Sequence, residues 1–105
     1  MKCYTIAELD VTDRAWVRDY VANVTKLVEE GGGRYLARTG QVEKLEGDRP
    51  LPQVTVIVEW PTREAAIAFY ESDAYRPYRE QRLAGARNQL VLVAGEDMTG
   101  AARVG

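Results

Sequence analysis

The sequence contains no histidine and only one cysteine, Cys3, among its 105 residues. The lack of histidine excludes Ser–His–Asp and Cys–His nucleophiles, histidine-ligated metal sites and haem held by a proximal histidine. A single cysteine cannot form an internal disulfide bond, and it cannot hold a structural zinc ion by itself. We therefore predict that the protein uses no metal and no other cofactor.

Surplus positive charge and long apolar runs are also missing. Fourteen basic against 16 acidic side chains give a net charge of −2, so no basic surplus is available to neutralise a nucleic-acid backbone. No apolar run approaches the ~18 residues that a membrane span requires, and the N-terminus lacks the pattern of a signal peptide. We expect a cytoplasmic protein that binds neither nucleic acid nor membrane.

The first half of the chain reads as a strand, a helix and two further strands. Apolar residues alternate in the strand segments and recur at helical spacing in the helix, which glycines 31–33 end. A glycine inside the second strand, Gly40, predicts a bulge or bend there. The predicted elements are a strand over Lys2–Leu9, a helix over about Asp13–Glu30, and strands over Arg34–Leu45 and Gln53–Trp60.

The second half reads as a broken helix, a last strand and a tail. Helical spacing covers Arg63–Glu71 and again Ala74–Ala84, with a break at Ser72, and a final strand covers Gln89–Ala94. Residues 96–105 have little to bury. We predict one domain over residues 1–95 and a loose tail over residues 96–105.

The resulting order, β-α-β-β-α-β, predicts an α+β fold of the ferredoxin-like kind. Such a fold has a four-stranded antiparallel sheet with both helices on one face. The strands nevertheless carry bulky apolar residues on both faces, among them Ile6, Ile57 and Leu92. Soluble monomers rarely leave such a face in water, so the pattern predicts a homodimer that pairs through the sheet face.

Five segments of the chain together resemble a known family. They are Tyr4–Asp13, Gly32–Gly40, Val42–Gly47, Val56–Pro61 and Phe69–Tyr75. In order and spacing they resemble the domain of unknown function 1330 (DUF1330) family, small bacterial proteins of the dimeric α+β barrel superfamily. The resemblance covers about residues 2–94. It implies two sheets packed face to face, and a ligand cleft between each sheet and its helices.

Arg38 and Glu59 are candidate catalytic residues, because each is a charged residue late in the strand pattern of a predicted interior strand. Arg38 would bind a carboxylate or enolate, and Glu59 would act as a general base. A structural ion pair or a strand-end charge that reaches solvent is the simpler alternative. Whether the two share a face depends on the hairpin register, which a bulge would reverse.

Candidate ligand-binding residues lie mainly around the helix break. They are Tyr70, Ser72 and Tyr75 of the Phe-Tyr-x-Ser-x-x-Tyr segment, Arg82 further along the second helical segment, and Tyr4 on the first strand. The phenols could orient a polar ligand and Arg82 could bind an anion. The alternatives are a structural cap by Ser72 and a solvated face that carries Arg82. We interpret Trp16 and Tyr20 as core residues.

Two functions fit these residues. The first is binding or conversion, without a metal, of a small anionic, phenolic or enolisable molecule in the cleft, of the cofactor-free monooxygenase or isomerase kind that the resemblance implies. The second is a non-catalytic ligand-binding or stress-associated homodimer. The sequence leaves open whether the protein is an enzyme.

Overall fold

The computed structural model describes residues 1–100, and the predicted order of strands and helices is confirmed. The second helix is divided in two, as the break at Ser72 predicts. The last five residues of the predicted tail lie outside the described part of the chain. The elements are β1 (Cys3–Val11), α1 (Val17–Glu30), β2 (Arg34–Thr39), β3 (Val54–Trp60), α2 (Arg63–Glu71), α3 (Arg76–Gly85) and β4 (Ala86–Ala94).

The four strands form one antiparallel sheet with the ferredoxin-like order β2-β3-β1-β4. In this register Thr5 lies opposite both Val58 and Leu92. Side chains of a strand alternate between faces, so these three residues share the face that the helices cover. Ile6 lies opposite Ile57 and Val91 on the other face, which no described helix covers.

The start of α1 differs from the prediction, because the helix begins at Val17 rather than Asp13. The backbone N–H groups of Thr12 and Asp13 donate to the carbonyl of Gly85, at 2.9 and 3.1 Å. This attachment holds the segment before α1 against the end of α3. It also extends β1 to Val11 and lets β4 begin directly after α3.

The second strand is shorter than predicted and bulges at another place. It ends at Thr39, whose Oγ1 accepts a hydrogen bond from the backbone N–H of Gln41 and turns the chain out of the sheet. The chain bends at Gly40, as predicted, but the register shift lies earlier, between Tyr35 and Ala37. A bulge places two residues of one strand opposite one residue of its partner, so the alternation of faces changes within β2.

Trp60 is the centre of the core, with 1% of its surface exposed. Its indole Nε1–H donates to Thr5 Oγ1 at 3.1 Å, and its ring stacks on Phe69 with centroids 5.2 Å apart. Val24 and Val28 of α1 pack in the same cluster. Burial of an aliphatic or aromatic side chain contributes about 1.5–3 kcal/mol, so this cluster fixes α1 and α2 against β3.

Gly85 provides a test of the packing between α1 and the end of α3. The Trp16 indole donates to the Gly85 carbonyl at 3.1 Å, and a methyl group on Gly85 would overlap that indole. Gly85→Ala should lower the free energy of unfolding by about 1–3 kcal/mol through overpacking. Gly100→Ala is the matched control, because its added methyl has no described atom within 4 Å. Equal urea midpoints for the two variants would contradict the close contact.

Candidate functional site

A cavity of about 230 Å³ lies between the sheet and the helices. Its walls are mainly valines and aromatic rings, contributed by the helix-facing side of the strands and by all three helices. The few polar or charged side chains among its lining residues are Thr5, Tyr20, Tyr35, Arg38, Tyr70, Tyr75 and Arg82.

Arg82 is the buried charge of this site, with 4% of its surface exposed. It occupies the last turn of α3. Its Nη1 donates to Asn88 Oδ1 at 2.6 Å and its Nε to Tyr75 Oη at 3.3 Å. Its Nη2 is buried and has no hydrogen-bond partner within residues 1–100. The solvated face, which was the alternative for Arg82, is wrong, because α3 turns this side chain toward the sheet.

Tyr20 and Tyr75 form a pair of phenols beside Arg82. Their hydroxyl oxygens are 2.6 Å apart, and their rings meet edge to face with centroids 6.2 Å apart. Burial raises the pKa of the Tyr20 phenol far above its usual value of 10.0; Tyr75 raises it further, and Arg82 lowers it. Burial opposes the charge of Arg82, but the phenol oxygens of Tyr75 and Tyr20 outweigh it and raise the guanidinium pKa. Arg82 therefore remains a cation and Tyr20 a neutral donor.

Arg38 reaches the cavity because of the bulge in β2. Strict alternation would place Tyr35 and Arg38 on opposite faces, whereas the observed register pairs them with Val58 and Val56 on the helix-covered face. The guanidinium lies 4.0 Å from the Tyr35 ring centroid, and its Nη1 donates to Thr25 Oγ1 at 2.7 Å. Neither of these contacts gives Arg38 a counter-charge.

The charges around the cavity have one sign. Two arginines line it, and no carboxylate does so within residues 1–100, although the whole chain has a net charge of −2. Its few polar side chains are hydroxyls and cations set in apolar walls, an arrangement that suits an anion with an apolar body. Residues 1–100 contain no group of three or more potential metal-ligating side chains and no helix that could span a membrane.

Glu59 does not join Arg38, and the predicted catalytic pair is not formed. Glu59 lies opposite Tyr4 and Arg34 on the uncovered face of the sheet, and it forms an ion pair with Lys2 at 3.3 Å. It alternates with Val58 and therefore points away from the cavity. Tyr4 shares the face of Glu59, so it too lies outside the cavity.

Ser72 has a structural role at the break between α2 and α3. Its Oγ donates to the carbonyl of Phe69 at 2.8 Å and accepts from the backbone N–H of Tyr75 at 3.2 Å. The cavity lining does not include Ser72, but it includes Tyr70 and Tyr75 on either side of it. Ser72 thus orients residues of the site without lining it.

Sequence reasoning missed the roles of Tyr20 and Tyr35 in the cavity. Tyr20 follows Trp16 at helical spacing, and that periodicity correctly places its ring against the interior. The one available signal was its hydroxyl, a polar atom within an otherwise apolar stripe that must find a partner when buried.

The family model of the domain of unknown function 1330 matches residues 2–96. The chain belongs to the DUF1330 family. No match was found among curated proteins by sequence. The ferredoxin-like fold of this DUF1330 chain also occurs in several solved structures, at identities that establish similarity of fold alone.

Three of these structures are informative for the DUF1330 chain. A protein of unknown function from Rhodopseudomonas palustris has a TM-score of 0.75 and 16% identity, over 91% of this chain and 83% of that one. A dimeric ferredoxin-like protein of unknown function from Jannaschia sp. CCS1 has a TM-score of 0.72 and 12% identity, over 90% and 99%. SnoaB, a cofactor-independent oxygenase from Streptomyces nogalater, has a TM-score of 0.65 and 12% identity, over 94% and 97%.

The raised pKa of Tyr20 predicts a loss of stability at alkaline pH. The phenol ionises near pH 10 in the unfolded chain but stays protonated in the folded one. The contribution of the protonated Tyr20 phenol to the free energy of unfolding is complete below about pH 10 and is lost as the pH rises further. Tyr20→Phe should flatten the decline in unfolding free energy above about pH 10, measured by urea unfolding. Tyr78→Phe, outside the phenol pair, is the control; equal slopes for both variants would contradict the prediction.

Proposed function

We propose that this chain is a homodimeric protein that binds a small anionic, phenolic or enolisable molecule in the cavity between sheet and helices. The observation that supports this best is the buried guanidinium of Arg82. Its hydrogen-bond partners are Asn88 and Tyr75, both neutral, and its Nη2 is unpaired within the described chain. A buried charge without a counter-charge is unfavourable, and an anionic ligand would supply that counter-charge.

Arg38 also favours a negatively charged ligand. This second arginine is exposed and stacked on Tyr35, so its charge reaches solvent as well as the cavity. A cluster of like charges with low-dielectric walls concentrates ions of the opposite sign. We propose that Arg38 attracts the anion and that the more deeply buried Arg82 binds it.

The size of the cavity limits the ligand to a small molecule. Its volume of about 230 Å³ exceeds the ~150 Å³ of a cavity known to accommodate benzene. A single substituted ring, or an aliphatic acid of similar bulk, fits that space. Aromatic side chains such as Phe69 and Tyr35 in the walls offer faces and edges against which a ring can pack.

Conversion of the ligand is the second candidate function, of the cofactor-independent oxygenase or isomerase kind. The phenols of Tyr20 and Tyr75 beside Arg82 favour it, because preorganised donors stabilise charge that develops on an enolate or oxyanion. SnoaB shares the fold, but a shared fold does not carry an activity with it. Simple binding requires fewer assumptions and is our first proposal.

Benzoate is a suitable probe of the proposed anion site. Calorimetry should detect its binding to the parent, and Arg82→Met should weaken it by about 2 kcal/mol, roughly 30-fold in Kd, because a hydrogen bond to a charge is lost. Arg18→Met, which removes an exposed arginine from α1, should leave the Kd unchanged.

Benzyl alcohol, which has the same ring without the charge, should bind the parent less tightly than benzoate. Melting curves of each variant establish that it is folded. Equal affinity of the parent and folded Arg82→Met for benzoate, or no binding by the parent, would contradict the proposal.

The homodimer is proposed from the uncovered face of the sheet. Tyr4, Ile6 and Ile57 lie on this face with Val91 and Val93, each 42% exposed. An apolar face of this kind marks an interaction surface, and a second sheet packed about 10 Å away would cover it. The Jannaschia protein of the same fold is described as dimeric.

A charge at the centre of that face should separate the copies. Val91→Glu should give a particle of the 11.8 kDa chain mass, whereas the parent should have twice that mass by light scattering. Leu83→Glu is the matched control, because Leu83 is 52% exposed on α3, away from the sheet face. A parent that stays monomeric at micromolar concentration would contradict the dimer.

A further inference from the structure

The hydrogen bonds among Arg82, Tyr75 and Tyr20 have a direction. A guanidinium can only donate, so Tyr75 Oη accepts from Arg82 Nε. Tyr75 is 3% exposed, and its hydroxyl has one other hydrogen-bond partner in the described chain, Tyr20 Oη. A buried hydroxyl uses its hydrogen when a partner is present. Either phenol could donate in this contact. Donation by Tyr75, the more deeply buried of the two, gives its hydrogen a partner and leaves the hydrogen of the Tyr20 hydroxyl free.

The free hydrogen of Tyr20 is available to a molecule in the cavity, because Tyr20 lines it. Each hydrogen bond in such a chain polarises the next one, so the charge of Arg82 makes Tyr20 a stronger donor through Tyr75. The ring of Tyr20 is fixed by an edge contact with Trp16, at a centroid distance of 5.2 Å. A donor fixed before binding does not have to be ordered by the ligand.

We infer that Tyr20 and Arg82 together bind the oxygen anion of a planar weak acid, and that Tyr75 positions Tyr20. The inference rests on the proposed function and deepens it, since it names the ligand as a phenol or an enol bound in its ionised form. The proton of the acid passes to water when the anion binds. No covalent step is required.

The groups that face the cavity favour the ionised form. The titratable or charged side chains that line it are Tyr20, Tyr35, Arg38, Tyr70, Tyr75 and Arg82. They are phenols and cations, and no carboxylate of the described residues stands there to repel an oxyanion or to accept its proton. Burial raises the pKa of both Tyr20 and Tyr35, which keeps these two phenols as donors.

The experiment uses 4-nitrophenol, whose phenolate absorbs visible light while the neutral phenol does not. Its absorbance is titrated against pH with and without saturating protein. The bound probe should ionise at a pH lower than the free probe by about one unit, a tenfold preference for the anion. Tyr20→Phe and Arg82→Met should each remove most of this shift. Tyr75→Phe should reduce it, because Tyr20 loses its polarising partner.

Tyr78→Phe is the matched control, since Tyr78 packs against the core but does not line the cavity; it should retain the full shift. Binding of nitrophenol as the neutral phenol, or a full shift in folded Tyr20→Phe, would overturn the inference. Benzoate distinguishes this result from failure of the proposed function. If benzoate binds through Arg82 while nitrophenol binds uncharged or not at all, the anion site stands and the phenolate inference is wrong.

Discussion

Burial of the Arg82 guanidinium is the constraint on which the site depends. A charge inside an apolar core is costly unless it is hydrogen-bonded or paired, and the fold supplies hydrogen bonds to Nε and Nη1 of Arg82. The Asn88 amide donates to the carbonyls of Arg82 and Ala86, at 3.2 and 2.8 Å, and this leaves its Oδ1 turned toward the guanidinium. The junction between α3 and β4 thus holds the buried charge of Arg82 and also connects the last strand to the helices. A change in the one would therefore disturb the other.

The break between α2 and α3 completes this arrangement. In a continuous helix the directions of Tyr70 and Tyr75 relative to each other would be fixed by the helix geometry. The turn at Ser72 instead allows both phenols to point into the cavity. Tyr75, the residue just before α3, then meets Arg82 on α3 and Tyr20 on α1. One capped turn therefore determines where the polar part of the cavity lies.

The fold could be predicted from the sequence much further than the site. Alternation and helical spacing give the order of elements, and the structure reproduces the bounds of α2, Arg63–Glu71. The site depends on finer features. One extra residue in β2 brings Arg38 to the cavity, while the plain alternation of β3 keeps Glu59 away from it. Spacing on α3 shows which residues share a helical side, but the depth of Arg82 depends on Asn88, six residues later and on another element.

The bulge in β2 also bears on how copies of the chain meet. β2 is an edge strand, and a regular edge offers a row of unpaired N–H and C=O groups to any passing strand. The irregular register between Tyr35 and Ala37 interrupts that row. Edge-to-edge addition, which extends sheets without limit and leads to fibres, is disfavoured on this side. The residue that brings an arginine to the cavity thus also protects the molecule from open-ended aggregation.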